Sequence, residues 1–205
     1  MHERKRVLVI VGSARAHGVS ARYAREAVVP EARSVGSDVR MWNVADHSVE
    51  GCIACERCRG PFRCFRRDAM DGLFEELASC DAVEVIAPVF FSGPTAQFKA
   101  VLDRFQPLWE RRIGPVGNTD PAEVKRPVRL HVIGSGGDPH GFDPLATIVR
   151  SAFGSAGFRL VDVIDAVGWG QADAGIPDMD PCAGDAAVVA PCARDRSSRM
   201  KGIVS

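Results

Sequence analysis

Cys52, Cys55, Cys58 and Cys64 place four thiols within thirteen residues, spaced C-x2-C-x2-C-x5-C. Without a secretory pattern, such a concentration points to metal or redox chemistry, since disulfides are not the default in a reducing compartment. A C-x2-C-x2-C run wraps three corners of a cubane iron–sulfur cluster. In two-cluster ferredoxins the fourth Cys of the run serves the other cluster. No second set occurs here, so Cys64 has to close the same site, with Gly60-Pro61 as the turn that returns it. Structural zinc uses two pairs separated by a long spacer, which this segment lacks. Arg57, Arg59, Arg63, Arg66 and Arg67 lie in the same stretch. They favour thiolates and offset a cluster's negative charge, although a solvated basic face is the plainer account of several. The residues rank a [4Fe–4S] cluster first, ahead of redox or apo thiols and of zinc.

A second chemistry precedes the cysteines. Gly12-Ser13-Ala14-Arg15-Ala16-His17-Gly18-Val19-Ser20 follows a β-branched run and opens a helical pattern. No Lys follows Gly18, which excludes a Walker A loop, and the glycines do not form G-x-G-x-x-G. What remains is a glycine-bounded turn with two hydroxyls and a guanidinium at a helix N-terminus. Free N–H groups and the helix dipole favour an anion there, and the Arg15 fork suits a dianionic phosphate. A plain strand-to-helix loop with Ser20 as N-cap is the competing account.

These residues need elements to position them. Arg6–Val11 reads as a buried strand and Ser20–Ser34 as a helix ended by Gly36-Ser37. Val39–Val44 alternates as a second strand, and Asp68 suits the N-cap of a helix carrying Met70, Leu73, Phe74 and Leu77. Further strands are expected at Asp81–Pro88, Val128–Ile133 and Phe158–Ile164, with helices at Pro94–Trp109 and Pro144–Ala156 and a loop from Gly114 to Pro127. A Lys99–Asp103 pair supports the first of these helices. Alternating strands and helices predict an α/β fold, a flavodoxin-like five-stranded parallel sheet, doubly wound, with the cysteine-rich loop (50–67) inserted after strand two. Such a sheet binds ligands beyond the C-terminal ends of strands one and three. Pro88-Val89-Phe90-Phe91-Ser92-Gly93-Pro94 and Gly134-Ser135-Gly136-Gly137 end strands three and four on that edge. Aromatic rings and open glycine backbone suit a flat ligand, so the three loops together favour FMN. Core packing is the alternative for one of the two phenylalanines.

The 205 residues, 46% apolar and 25% charged, describe an ordinary globular chain with a single expected flavin-binding domain over 1–175. Residues 176–205, with Pro177, Pro181 and Pro191, are expected to form an arm or partly ordered tail. Charge is balanced, 26 basic against 26 acidic residues, so nothing draws the chain to nucleic acid or an anionic membrane. The first apolar run, Val7–Val11, is too short for a signal segment, and a cytoplasmic location is expected. Of the three isolated cysteines, Cys182 and Cys192 carry no pattern, and Cys80 reads as a small buried residue at a helix end.

The loop G-S-A-R-A-H-G-V-S, the cysteine block followed by R-R-D-A-M, and A-P-V-F-F-S-G-P-T-A-Q-F-K-A-V-L-D-R resemble the NAD(P)H-dependent FMN reductase family, and within it the iron–sulfur flavoproteins. The resemblance spans about Val7 to Ile164. It implies an FMN phosphate held by Ser13, Arg15, Ser20 and the amides around Gly18 and Val19. It implies an isoalloxazine held by Pro88, Val89, Phe90, Phe91, Ser92 and Gly93, and by Gly134, Ser135, Gly136 and Gly137. A tyrosine common in the family is replaced by Phe90, and an amide side chain often found where His17 and Val19 stand is absent. Family members are dimers or tetramers, so a homodimer or homotetramer is implied.

The leading expectation is an FMN-dependent oxidoreductase passing electrons between an external donor, a [4Fe–4S] cluster on Cys52, Cys55, Cys58 and Cys64, and FMN. The donor and acceptor are small molecules, NAD(P)H among them, or proteins. No residue is assigned as catalytic acid or base, and His17 and His140 read as surface loop residues. An FMN or quinone reductase with structural or redox-sensing cysteines is the second expectation. A non-catalytic flavin- or zinc-binding module is the third.

Overall fold

The sheet forms because short β-branched runs alternate with amphipathic helices, and parallel strands must be covered on both faces. The computed structural model describes residues 4–115, 125–136 and 138–170. In chain order it comprises β1 (Arg6–Val11), α1 (Val19–Tyr23), a π-helical turn (Ala24–Val28), α2 (Val29–Ser34), β2 (Asp38–Asn43), α3 (Ala69–Ser79) and β3 (Ala82–Pro88). It continues with α4 (Ala96–Asp103), α5 (Gln106–Arg112), β4 (Arg126–Ile133), α6 (Asp143–Ser155) and β5 (Phe158–Asp165). All neighbours pair in parallel, in the order β2-β1-β3-β4-β5. This is the flavodoxin-like winding, with its switch point between β1 and β3. Among the described residues no helix is long and apolar enough to cross a membrane. The expected C-terminal arm lies outside the described residues, as do Cys182 and Cys192.

Strand alternation divides the core in two. Leu8, Ile10, Val83, Val85, Val128, Leu130 and Val132 face α3, α4 and α6, where Phe98, Phe105 and Phe153 fill the layer. Val7, Val9, Val11, Ile86 and Ile133 face Ala21, Ala24, Val28 and Val29 on the opposite side. On that second face the period of two also buries Glu84 and His131.

Two helices differ from the sequence expectation, both because of proline. The first runs from Val19 to Ser34 with a π turn in its middle. Pro30 has no N–H to continue the ladder, and the wider turn before it absorbs the mismatch. The segment expected as one helix from Pro94 to Trp109 is two, α4 and α5, broken at Arg104-Phe105. Pro107 lies in the first turn of α5, where its missing N–H costs nothing, whereas within a continuous helix its ring would strike the carbonyl of Asp103. The expected Lys99–Asp103 pair forms at 2.6 Å, and Asp68 caps α3 by accepting from the Met70 N–H at 3.1 Å.

The sheet meets α4 through one close approach. A Cβ on Gly12 would stand 2.7 Å from Cδ1 of Phe98, inside any real contact distance. Gly12→Ala is therefore expected to lower stability by about 1–3 kcal/mol through overpacking. Urea unfolding reads this as a lower midpoint at constant slope. An unchanged midpoint would mean the Phe98 ring can step aside.

Candidate functional site

Three loops converge beyond the C-terminal ends of β1 and β3. They enclose a cavity of about 750 Å³ lined by Ser13, Ala14, Arg15, Val19 and Ser20 from the first loop. Pro88, Val89, Phe90 and Phe91 line it from the second, Gly134 and Ser135 from the third. The first loop is a closed turn leading into a helix N-terminus. Ser13 Oγ accepts from the Arg15 N–H at 3.1 Å, and Gly18 closes the turn by donating to the Arg15 carbonyl at 3.2 Å. The helix begins at Val19 with Gly18 as its N-cap and no side-chain cap. First-turn N–H groups are thereby left for a ligand. Ser20, the alternative N-cap from sequence, sits instead within the helix and is buried against the cavity. A Cβ on Gly18 would stand 3.3 Å from Arg15 Nε, so glycine lets the guanidinium fold over the turn.

The second loop is a tight reversal. Phe90 and Gly93 exchange both backbone hydrogen bonds, at 2.9 and 3.0 Å. Phe91 and Ser92 between them have φ of 49° and 63°, the left-handed pair that a type I′ turn requires. Phe91 stands 99% exposed at the tip and Phe90 59%, so neither ring packs in the core, contrary to the alternative sequence reading. Ser92 turns inward and its buried hydroxyl has no hydrogen-bond partner. Gly134 is held close to Val89, where a Cβ would meet Cγ1 at 2.7 Å.

The cysteine segment runs between Asp46 and Ala69 without a helix or strand. Cys52, Cys55, Cys58 and Cys64 all line a second cavity, of about 310 Å³, together with Arg59, Arg104, Gln106 and Glu110. Ala54, Glu56 and Phe62 adopt φ of 52°, 59° and 52°, and Gly60 of 92°, which curls the chain around this space. The Phe62 N–H donates to the Cys58 carbonyl at 2.8 Å, closing the turn that returns Cys64. The Ala54 N–H donates to Cys52 Sγ at 3.4 Å. Burial pushes the Cys58 thiol up, and the Glu110, Cys52 and Cys64 charges add to the effect. Among the described residues no three Cys, His, Asp or Glu side chains are already disposed to hold a single metal ion. Cys80 belongs elsewhere: it ends α3 and burial pushes its thiol up to about 11, which leaves it inert.

The loop is tied to the fold through Arg104. This side chain, 2% exposed, donates to the Glu50 carbonyl at 3.0 Å and to both oxygens of Asp68 at 2.7 and 3.1 Å. It therefore grips the segment at both ends. Burial alone would push the Asp68 carboxyl up. The hydrogen bonds from Arg104 and the Met70 N–H, with the charges of Arg104 and Arg66, outweigh it and hold the carboxyl below its ordinary range. Arg57 and Arg66 stack on Phe65, and Arg67 pairs with Asp71, so several of the loop's arginines serve the loop itself.

With this geometry in view, the family model for NADPH-dependent FMN reductase matches residues 5–153. The chain belongs to the NADPH-dependent FMN reductase family. An iron–sulfur flavoprotein of Methanocaldococcus jannaschii is 32% identical over 109 residues, covering 53% of this chain and 54% of that protein. One from Archaeoglobus fulgidus is 30% identical, covering 50% and 46%. The chain thus spans about half the length of these curated relatives. A crystal structure of an FMN-dependent NADH-azoreductase from Bacillus anthracis in complex with FMN shares the fold, with a TM-score of 0.59 and 12% identity over 80% of this chain and 88% of that one.

Within this family frame, the structure brings most of the expected site residues together. Gly18, Ser92 and Gly93 shape the loops without lining the first cavity. Gly136 lines a neighbouring cavity with Phe91, Ser135 and Asp138, and Gly137 lies outside the described residues. His17 and His140 are exposed. Sequence reasoning missed Thr95, Ala96, Gln97, Ile133 and Trp169 on the wall of the first cavity. A hydroxyl at a helix N-cap was the available signal for Thr95. For Trp169 it was position alone, just past the C-terminal end of β5.

A pH test follows from Asp68. A carboxyl held low in the folded state adds stability above its unfolded value and loses it as pH falls through the folded one. The urea midpoint is expected to drop on acidification below about pH 4. Asp68→Asn should be less stable at neutral pH and lack this part of the acid dependence. An equal acid slope in both proteins would refute the assignment.

Proposed function

We propose that the protein is an FMN-dependent oxidoreductase that also holds a [4Fe–4S] cluster on Cys52, Cys55, Cys58 and Cys64. The observation that carries this reading is the joining of the two cavities by one helix. Thr95, Ala96 and Gln97 at the start of α4 line the first cavity, and Arg104, just past its end, lines the second. Nine residues of helical rise separate Thr95 from Arg104, about 13 Å.

The residues fit both groups. For FMN, the uncapped helix start, the buried Ser13 and Ser20, and the Arg15 fork favour a dianionic phosphate. The backbone of Gly134 and Ser135 on the cavity wall and the exposed Phe90 and Phe91 suit a flat ring system. For the cluster, four thiols line one cavity, a backbone N–H already points at one sulfur, and Arg104 Nε and Glu110 Oε2 are buried without hydrogen-bond partners. A polynuclear cluster takes each ligand at a different iron, so its thiols need not converge on one point. When bound, FMN supplies exchange of one or two electrons and the cluster exchange of one. The chain's part is to hold, orient and shield; no side chain is assigned proton transfer.

The adjoining cavity of about 410 Å³, sharing Val89, Phe91 and Ser135 with the first, offers a small electron donor such as NAD(P)H an approach. Assembly into a homodimer or homotetramer would cover the exposed Phe90 and Phe91. A cluster-free FMN or quinone reductase is the second reading, favoured by the exposure of Cys52 and Cys55. The cytoplasm is the compartment in which such thiols stay reduced.

Two experiments test this function. Anaerobic purification should yield about four iron and four sulfide per chain. Cys55→Ser should remove the sulfur-to-iron absorption while FMN stays bound. Absence of acid-labile sulfide in the unmodified protein would establish the cluster-free reading instead. Arg15→Ala should weaken FMN by roughly tenfold or more, equivalent to one charge-assisted bond, and leave riboflavin affinity nearly unchanged. Equal loss for both would place the phosphate elsewhere.

A further inference from the structure

Arg104 heads the fully buried side chains of the described residues by size. A buried cation is costly unless its partners are arranged for it, and here the arrangement is asymmetric. The two terminal nitrogens are committed to Glu50 and Asp68. Nε is buried with no hydrogen-bond partner, and the side chain lines the cavity of the four cysteines. Cys64 is its neighbour there: burial opposes the charge on Arg104, but hydrogen bonding to Asp68 and the presence of the Cys64 sulfur outweigh it. Arg59 also reaches this cavity, but it is exposed and stands 3.6 Å from the buried Glu110 and 3.1 Å from Glu56. Its charge is therefore answered and screened. Arg104 alone combines full burial, a fixed position and contact with both ends of the loop.

We propose that Arg104 positions Cys64 and raises the reduction potential of the cluster by presenting a buried, permanent cation to that sulfur. The inference rests on the cluster reading above and goes beyond it by naming the residue that tunes the site. Reduction adds one electron to the cluster. Arg104 cannot release its proton in a protein, so its charge is constant and meets the added negative charge directly. A donor or cation beside a ligating sulfur favours the reduced form, whereas a nearby carboxylate opposes it. Asp68 and Arg104 therefore pull the potential in opposite directions, although they are bonded to each other.

That opposition supplies the test. Holoprotein is purified anaerobically and its cluster titrated by absorbance and electron paramagnetic resonance at a series of fixed ambient potentials. Arg104→Met should lower the reduced-to-oxidised ratio at a given potential by about tenfold, which for one electron is about 59 mV. Arg104→Lys should keep iron and fall between Met and the unmodified protein, because charge remains but the fork to both loop ends is lost. Asp68→Asn should shift the ratio the other way. FMN content reports that each variant is folded.

A loaded Arg104→Met with an unshifted potential overturns the proposal. So do shifts of the same sign in Arg104→Met and Asp68→Asn, as a merely structural role would give. Complete loss of iron from Arg104→Lys also overturns it. If Arg104→Met takes up no cluster, the Lys and Asn variants decide by the same criteria. Absence of sulfide from the unmodified protein is a different outcome, and it sinks the cluster reading rather than this assignment.

Discussion

The hydroxyl of Thr95 holds the two ends of the molecule's chemistry in register. It donates to the Gly12 carbonyl at 2.8 Å and accepts from the Phe98 N–H at 3.2 Å. One buried side chain thus caps α4 and fastens it to the end of β1, where the first loop begins. Gly12 permits the approach, and Phe98 of α4 packs over it. The position of α4 is fixed at the first cavity, and its far end carries Arg104 to the cysteine loop. An error in this one contact would be passed along a rigid helix to both cavities. That makes the Gly12–Thr95–Phe98 cluster the constraint on which the remaining geometry rests.

Backbone strain has a parallel distribution. The described residues include five non-glycine positions with positive φ: Ala54, Glu56, Phe62, Phe91 and Ser92. Three lie between Cys52 and Cys64, and two form the turn at the first cavity. Each costs of order 1 kcal/mol or more relative to an ordinary conformation. No glycine relieves them, although glycine is the cheap solution at such positions. The surrounding structure must therefore hold them: the Phe90–Gly93 bridge and the bond from the Leu145 N–H to the Ser92 carbonyl in one loop, Arg104 and the Cys58–Phe62 turn in the other. Strain confined to two ligand-sized cavities marks them as the places where the fold serves something other than its own stability.

Much of this was legible in the residues. Strand order followed from five short apolar runs separated by helical periods, and the three loops followed from the rule that ligands meet such sheets at C-terminal strand ends. The four cysteines, grouped by their spacing, line one cavity. What escaped was interaction between distant residues. Arg104 reads as one more charge within the expected helix from Pro94 to Trp109, because nothing local says that Glu50 and Asp68 close around it. Core packing was the alternative for one of Phe90 and Phe91, and the paired left-handed residues Phe91 and Ser92 turn both rings outward. Proline effects were local and could have been read: Pro107 alone argues against a single helix from Pro94 to Trp109.

The least legible feature is the polar network beneath β3 and β4. Glu84, 4% exposed, accepts from Arg129 at 2.7 Å and meets His131 Nε2 at 3.0 Å. His131 Nδ1 stands 3.0 Å from the Tyr23 hydroxyl. One assignment satisfies every group: Tyr23 donates to Nδ1, and the proton on Nε2 points at Glu84. Burial raises the Tyr23 hydroxyl above its ordinary value, followed by the charges of Glu31 and Glu84, which keeps it a donor. Buried ionic networks of this kind add little net stability over well-packed apolar residues, so their effect lies in position. Here the position is that of a ring. Tyr23 meets Trp169 edge-on at 5.1 Å, Arg22 covers the same indole at 5.0 Å, and Trp169 forms part of the first cavity's wall. The charges on strands β3 and β4 thereby orient an aromatic wall that no residue in the three loops of the first cavity could fix from its own segment.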